Sequence, residues 1–98
     1  MKELHSQIKL QTCNLCDAMH RNITDNFVSV SFKIENNGEI KVKIVLKTIT
    51  TIEEEYIDDL ITEFESMQEY NNVKEVIVTE DKEDSVLLEN VVYRQDDN

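Results

Sequence analysis

Apolar and polar residues alternate with a period of two over residues 27–35 and again over 40–47. In the first run Val28, Val30, Phe32 and Ile34 alternate with Ser29, Ser31, Lys33 and Glu35. In the second, Ile40, Val42, Ile44 and Leu46 alternate with Lys41, Lys43, Val45 and Lys47. A period of two marks a strand with one face covered, so the pair predicts a β-hairpin about "ENNGE". A two-residue Asn-Gly loop would set Ile34 opposite Lys41, and cross-strand neighbours share a face. A three-residue loop, Asn36-Asn37-Gly38 with Gly38 left-handed in a bulge, sets Ile34 opposite Ile40 and Phe32 opposite Val42. The second register keeps the apolar side chains together and is the one expected.

Before and after this hairpin the period is helical. Over residues 3–22, Leu4, Ile8, Leu15, Met19 and Ile23 fall on one stripe, and "RNITDN" supplies the stop. Over residues 52–70, Ile52, Tyr56, Ile57, Leu60, Ile61, Phe64 and Met67 form another, with "YNN" at its end. "TIEE" is a capping box that places Thr51 at the N-cap and Glu54 at N3. Residues 74–80 and 85–93 predict a second hairpin about the charged turn "TEDKED", followed by a frayed tail over 94–98. Its alternation is poorer: Val76 and Val78 face one way while Ile77, Leu87, Val91 and Tyr93 are apolar on the other. The order α-β-β-α-β-β predicts one α+β domain over 1–98, with a four-stranded antiparallel sheet and both helices on one face.

Charge changes the picture because of where it lies. The net charge is −11 over 98 residues. Residues 1–49 carry seven basic and five acidic side chains, a balance of +2; residues 50–98 carry three and sixteen, a balance of −13. No Lys or Arg stands between Ile49 and Val73, where Glu53, Glu54, Glu55, Asp58, Asp59, Glu63, Glu65 and Glu69 fall on the second helix. Like charges at i and i+4 each cost a few tenths of a kcal/mol, and acids near a helix C-terminus oppose its dipole. Helix stability therefore does not account for the pattern. Along the axis it places an acid roughly every 3 Å, close to the ~3.4 Å phosphate repeat of a DNA strand. Glu54, Glu55, Asp58, Asp59, Glu63, Glu65 and Glu69 are accordingly the expected contacts to a basic protein partner, with imitation of nucleic acid as the specific version. A solvated face kept soluble by charge is the plain alternative.

Candidate chemistry is sparse. "CNLCDAMH" brings Cys13, Cys16 and His20 close in sequence, but in a continuous helix Cys13 and His20 stand roughly 10 Å apart along the axis. Zinc ligands lie about 2.0–2.3 Å from the metal, so the trio is a weak metal candidate, and Cys16 reads as the core edge. A redox Cys-x-x-Cys pair belongs at a helix N-terminus, and this one lies mid-helix. Both histidines sit on the first helix without an orienting carboxylate, and the single glycine lies in a hairpin turn rather than a phosphate-cradling loop. No catalysis and no cofactor is expected. Lys33, Lys41, Lys43 and Lys47 on the open face of the first hairpin lack interleaved arginines, and the only aromatic residue beside them is Phe27, so direct nucleic-acid binding is not expected.

"MKELHSQIKLQT" lacks the apolar stretch of a signal peptide and no run reaches the ~18 apolar residues of a membrane span, so a cytoplasmic protein without membrane contact is expected. The sequon "NIT" is then incidental, and two cysteines in this context read as free thiols. The Asn/Lys/Ile/Glu-rich, proline-free composition suits a bacterium of low GC content or its phage. Two functions compete: an inhibitor or modulator whose acidic helix docks on a basic groove, and a structural subunit or homo-oligomer joined through Ile77, Leu87, Val91 and Tyr93 of the 74–93 hairpin.

Overall fold

The computed structural model describes residues 2–95, with side chains from Leu4 onward. Its elements are α1 (Lys2–Met19), β1 (Phe27–Ile34), β2 (Ile40–Leu46), α2 (Thr51–Ser66), β3 (Val73–Glu80) and β4 (Asn90–Arg94). The first hairpin has the expected register: Ile34 opposes Ile40, Phe32 opposes Val42 and Val30 opposes Ile44. Gly38 takes φ +87°, and the Glu35 N–H donates to the Glu39 carbonyl at 2.7 Å to close the loop. A bulge between Phe27 and Ser29 adds a detail that simple alternation misses. It turns Phe27, rather than Val28, into the core, so Phe27 is not available on the open face.

The core lies between the helices and one face of the sheet. Leu15, Ala18 and Met19 of α1 and Ile57, Leu60 and Phe64 of α2 join Val30, Phe32, Val42 and Ile44 in one cluster. All three phenylalanines, Phe27, Phe32 and Phe64, are fully buried, each worth roughly 1.5–3 kcal/mol of transfer free energy. α1 stops at Met19, three residues short of expectation, where the Asn22 amide donates to the Ala18 carbonyl at 2.8 Å and caps the last turn. α2 stops at Ser66 rather than residue 70. The Met67 N–H turns back to the Phe64 carbonyl, while the Gln68 amide donates to that same carbonyl and pairs reciprocally with Gln11 of α1 at 2.9 Å.

The second half of the chain departs from the expected topology. The sheet order is β3-β2-β1-β4, and β3 runs parallel to β2, so the sheet is mixed rather than antiparallel. β3 and β4 do not form a hairpin; they lie at opposite edges, with β4 antiparallel to β1. The physical reason is the connection: α2 is long enough to carry the chain back for a parallel crossover, a route closed to a short turn. The segment 81–89 must then cross the sheet beneath β2 and β1 to reach the far edge. It buries the face expected to be open: Ser31 and Val45 are inaccessible, and Ser29 and Lys43 nearly so. The crossing is pinned by Lys43 Nζ to Asp84 Oδ2 at 2.9 Å and by the Leu88 N–H donating to Ser31 Oγ at 3.0 Å. Arg94 lies in β4 and the Gln95 N–H donates to the Val28 carbonyl at 2.8 Å, so the expected frayed tail does not begin at 94; residues 96–98 lie outside the described residues.

Candidate functional site

The N-terminus of α2 is built on a threonine, but not the expected one. Thr50 is the N-cap, and its hydroxyl accepts from the Glu53 N–H and donates to the Glu53 carboxylate. Thr50-x-x-Glu53 and Thr51-x-x-Glu54 both match the capping-box pattern, and tertiary contact decides between them. Thr24, in the loop after α1, donates to Glu53 Oε2 at 2.8 Å and draws that residue into the interior, where it is 6% exposed. The two hydroxyls, Thr50 first and then Thr24, hold the Glu53 carboxyl below the usual glutamate range. Glu53 therefore anchors α2 and leaves Glu54 free.

With that register, Glu54, Glu55 and Asp58 border a groove of about 830 Å³ between α2 and β3. Its floor is apolar, formed by Ile57 and Ile61 of α2, Val76 and Val78 of β3, and Ile49 from the β2–α2 loop. At its mouth the Ile49 N–H donates to Glu80 Oε2 at 2.9 Å, and this bond, ahead of Lys82, pushes the Glu80 carboxyl down. Carboxylates beside apolar surface are a mixed surface suited to a ligand that is both cationic and partly apolar.

The other expected contacts separate. Asp59 and Glu65 are exposed on α2 away from the groove lining. Glu63 is half-buried and meets Arg21 at 3.5 Å. Glu69 lies past the helix end, beside a second cavity lined by Leu10, Met67, Gln68 and Tyr70. Ile77, Leu87, Val91 and Tyr93 do not make one continuous patch. Ile77 on β3 and Val91 on β4 share the reverse face of the sheet but stand at opposite edges, with Lys43 and Ser31 between them. Leu87 lies in the segment that crosses that face, and Tyr93 packs on the core. The groove was missed because it joins residues from α2, β3 and a loop. The half-apolar faces of Ile57–Ile61 and Val76–Val78 were its only local signal.

Two of the four lysines of the first hairpin, Lys41 and Lys43, are engaged in ion pairs. Lys41 lies 3.5 Å from both Glu35 and Glu75, which raise its pKa, Glu35 foremost. Lys43 is committed to Asp84, and this bond, ahead of the Val86 N–H, holds the Asp84 carboxyl below the usual aspartate range. Cys13 and Cys16 are free and exposed, so Cys16 does not join the core edge as expected, while Leu15 faces inward as expected and Ala18 beside it. Burial of part of its surface, then Cys13 and Asp17, push the Cys16 thiol up, opposite to the direction that activates a thiol nucleophile. Among the described residues no group of three or more His, Cys, Asp or Glu side chains is arranged to hold a metal ion. None of the described helices is long and apolar enough to cross a membrane. No family model matches the chain, and no curated protein is similar enough to count as a relative.

Proposed function

We propose that this protein is a non-catalytic binding module that docks a cationic protein surface on the groove between α2 and β3, and so acts as an inhibitor or modulator of that partner. The observation that carries the reading is the junction of an apolar floor, Ile57, Ile61, Val76 and Val78, with the carboxylates of Glu54, Glu55 and Asp58. A solvated acidic helix needs no apolar groove beside it, whereas a docking surface combines apolar area for affinity with charge for orientation and rate. The excess of sixteen acids over three bases in residues 50–98 extends the attraction beyond contact range. A partner groove evolved to hold nucleic acid is the specific case that this charge suits. A homo-oligomer contact through one continuous 74–93 face is not proposed, since those residues lie on two edges.

The test is titration of the protein with a fluorescent lysine-rich peptide at low and high salt. Affinity should fall about tenfold or more as salt screens the carboxylates, and Glu54→Lys with Asp58→Lys should abolish binding while leaving the circular dichroism spectrum unchanged. Affinity indifferent to both salt and charge reversal would overturn the reading.

A further inference from the structure

The two sheet edges differ in how they are finished. β4 is five residues long, carries Asn90 and Arg94 at its ends, and has α1 packed beside it. β3 is eight residues long and, among the described residues, has a strand neighbour on the β2 side only. Natural edges are blunted by proline, inward charge, bulges or lysine. β3 has no proline, its single lysine is Lys74 near the start, and its one register shift lies at that same end. From Glu75 to Glu80 the strand runs regularly, and Val76, Ile77, Val78 and Thr79 are all half-exposed. Its outer row of backbone donors and acceptors is a template for another strand.

We infer that the partner is an extended segment with Lys or Arg at every second position, which adds to β3 as a fifth strand and lays its basic side chains over the α2–β3 groove. The inference rests on the function proposed above and names how the partner is held. Val76 and Val78 point into the groove, so side chains opposite them on an added strand point there too. Alternate residues of a strand are about 6.7 Å apart, close to the ~6 Å that one turn of helix puts between Glu54 and Asp58. A Lys or Arg stem covers the apolar floor along Ile61 and the two valines, and its charged head reaches the carboxylates while remaining in water. The intervening residues fall on the other face, beside Ile77, where β-branched side chains pack well. A second copy of this chain is the wrong occupant. It would bring its own Glu54, Glu55, Asp58, Glu75 and Glu80 against the same groups, on top of a net charge of −11 on each molecule.

The experiment uses the full chain and a capped peptide of about ten alternating Lys and Val residues, long enough to span the edge. Two further peptides carry N-methyl groups, one on every Lys nitrogen and one on every Val nitrogen. A strand pairs through one edge, so one methylated peptide should bind at least about tenfold more weakly than the parent while the other keeps its affinity. Amide hydrogen exchange across Val76–Thr79 should slow by about tenfold or more when the parent peptide is bound. Salt-dependent binding with unchanged exchange in β3 overturns strand addition and leaves the docking function standing. Failure of all three peptides to bind at low salt overturns both.

Discussion

The two faces of the sheet are closed by different means. Under α1 and α2 the cover is largely apolar: Phe27, Phe32, Val42 and Ile44 share one cluster with Leu15, Leu60 and Phe64. The buried Gln11 and Glu53 of the helices are paired with Gln68 and with Thr50 and Thr24. On the reverse, a single extended segment, 81–89, covers a face that carries Ser29, Ser31 and Lys43 beside Val45. That side depends on particular bonds, Lys43 to Asp84 and Leu88 to Ser31, and among the described residues Ser29 Oγ is buried there without a partner. Apolar area is non-directional and tolerates small shifts, while a buried ammonium is held by one carboxylate and is costly when that is lost. The helix face thus sets how stable the fold is. The reverse face sets which path the chain takes between β3 and β4.

The largest effect should come from the helix face. Phe32→Ala removes a fully buried ring at the centre of the sheet and should cost about 3–5 kcal/mol by denaturant unfolding. A cost under ~1 kcal/mol would show that the helices are not the principal cover.

Next, Asp84→Ala strands the Lys43 ammonium beneath the crossing segment. The melting temperature should fall by less than for Phe32→Ala, and exchange of the Leu88 amide should speed up. Pairing it with Lys43→Met, which removes the stranded charge and fills similar space, should recover most of the loss. No recovery would mean that the segment is held by something other than this pair.

The smallest effect is on pH dependence. Asp84, Glu53 and Glu80 have folded-state pKa values below their ordinary ones, for the bonding reasons given above. Their contribution is present above the unfolded values near pH ~4 and is lost as pH falls through the lower folded values. Lys41 is raised by Glu35 and Glu75, so its contribution is present below pH ~10 and is lost as pH rises through the folded value. The melting temperature should therefore plateau between those limits and decline on both sides, and Asp84→Asn should make the acid limb shallower. An acid limb unchanged in Asp84→Asn would remove Asp84 from the account.

The first hairpin was legible down to its register, because Ile34, Phe32, Ile40 and Val42 must share a face and only a three-residue loop lets them. The acidic run on α2 was equally plain. Elsewhere local signals were ambiguous rather than missing. The apolar residues on both sides of the C-terminal region, Val76 and Val78 against Ile77, Leu87, Val91 and Tyr93, suggested cover on both faces. Yet β3 and β4 are edge strands on which Val76, Ile77 and Val78 stay half-exposed and Val91 is exposed, and a turn as polar as "TEDKED" serves a hairpin and a crossing segment alike. Thr51 was the expected cap, and Thr50 takes the position instead because Thr24 reaches Glu53. Cys16 looked like the core edge by helical angle, yet it is exposed while Leu15 and Met19 of the expected stripe are buried with Ala18 between them.

The sequence by itself determined the two helices, the β1–β2 hairpin with its pairing, and the concentration of negative charge in the second half. Each depends on periodicity or composition within a short span, where steric and hydrogen-bonding rules act locally. Only the tertiary structure decided that β3 lies parallel to β2, that 81–89 crosses the reverse face, and that three of the acids border an apolar groove beside a free strand edge. Those outcomes turn on which distant surfaces exclude water together, and such a choice leaves little trace in the local pattern of either partner.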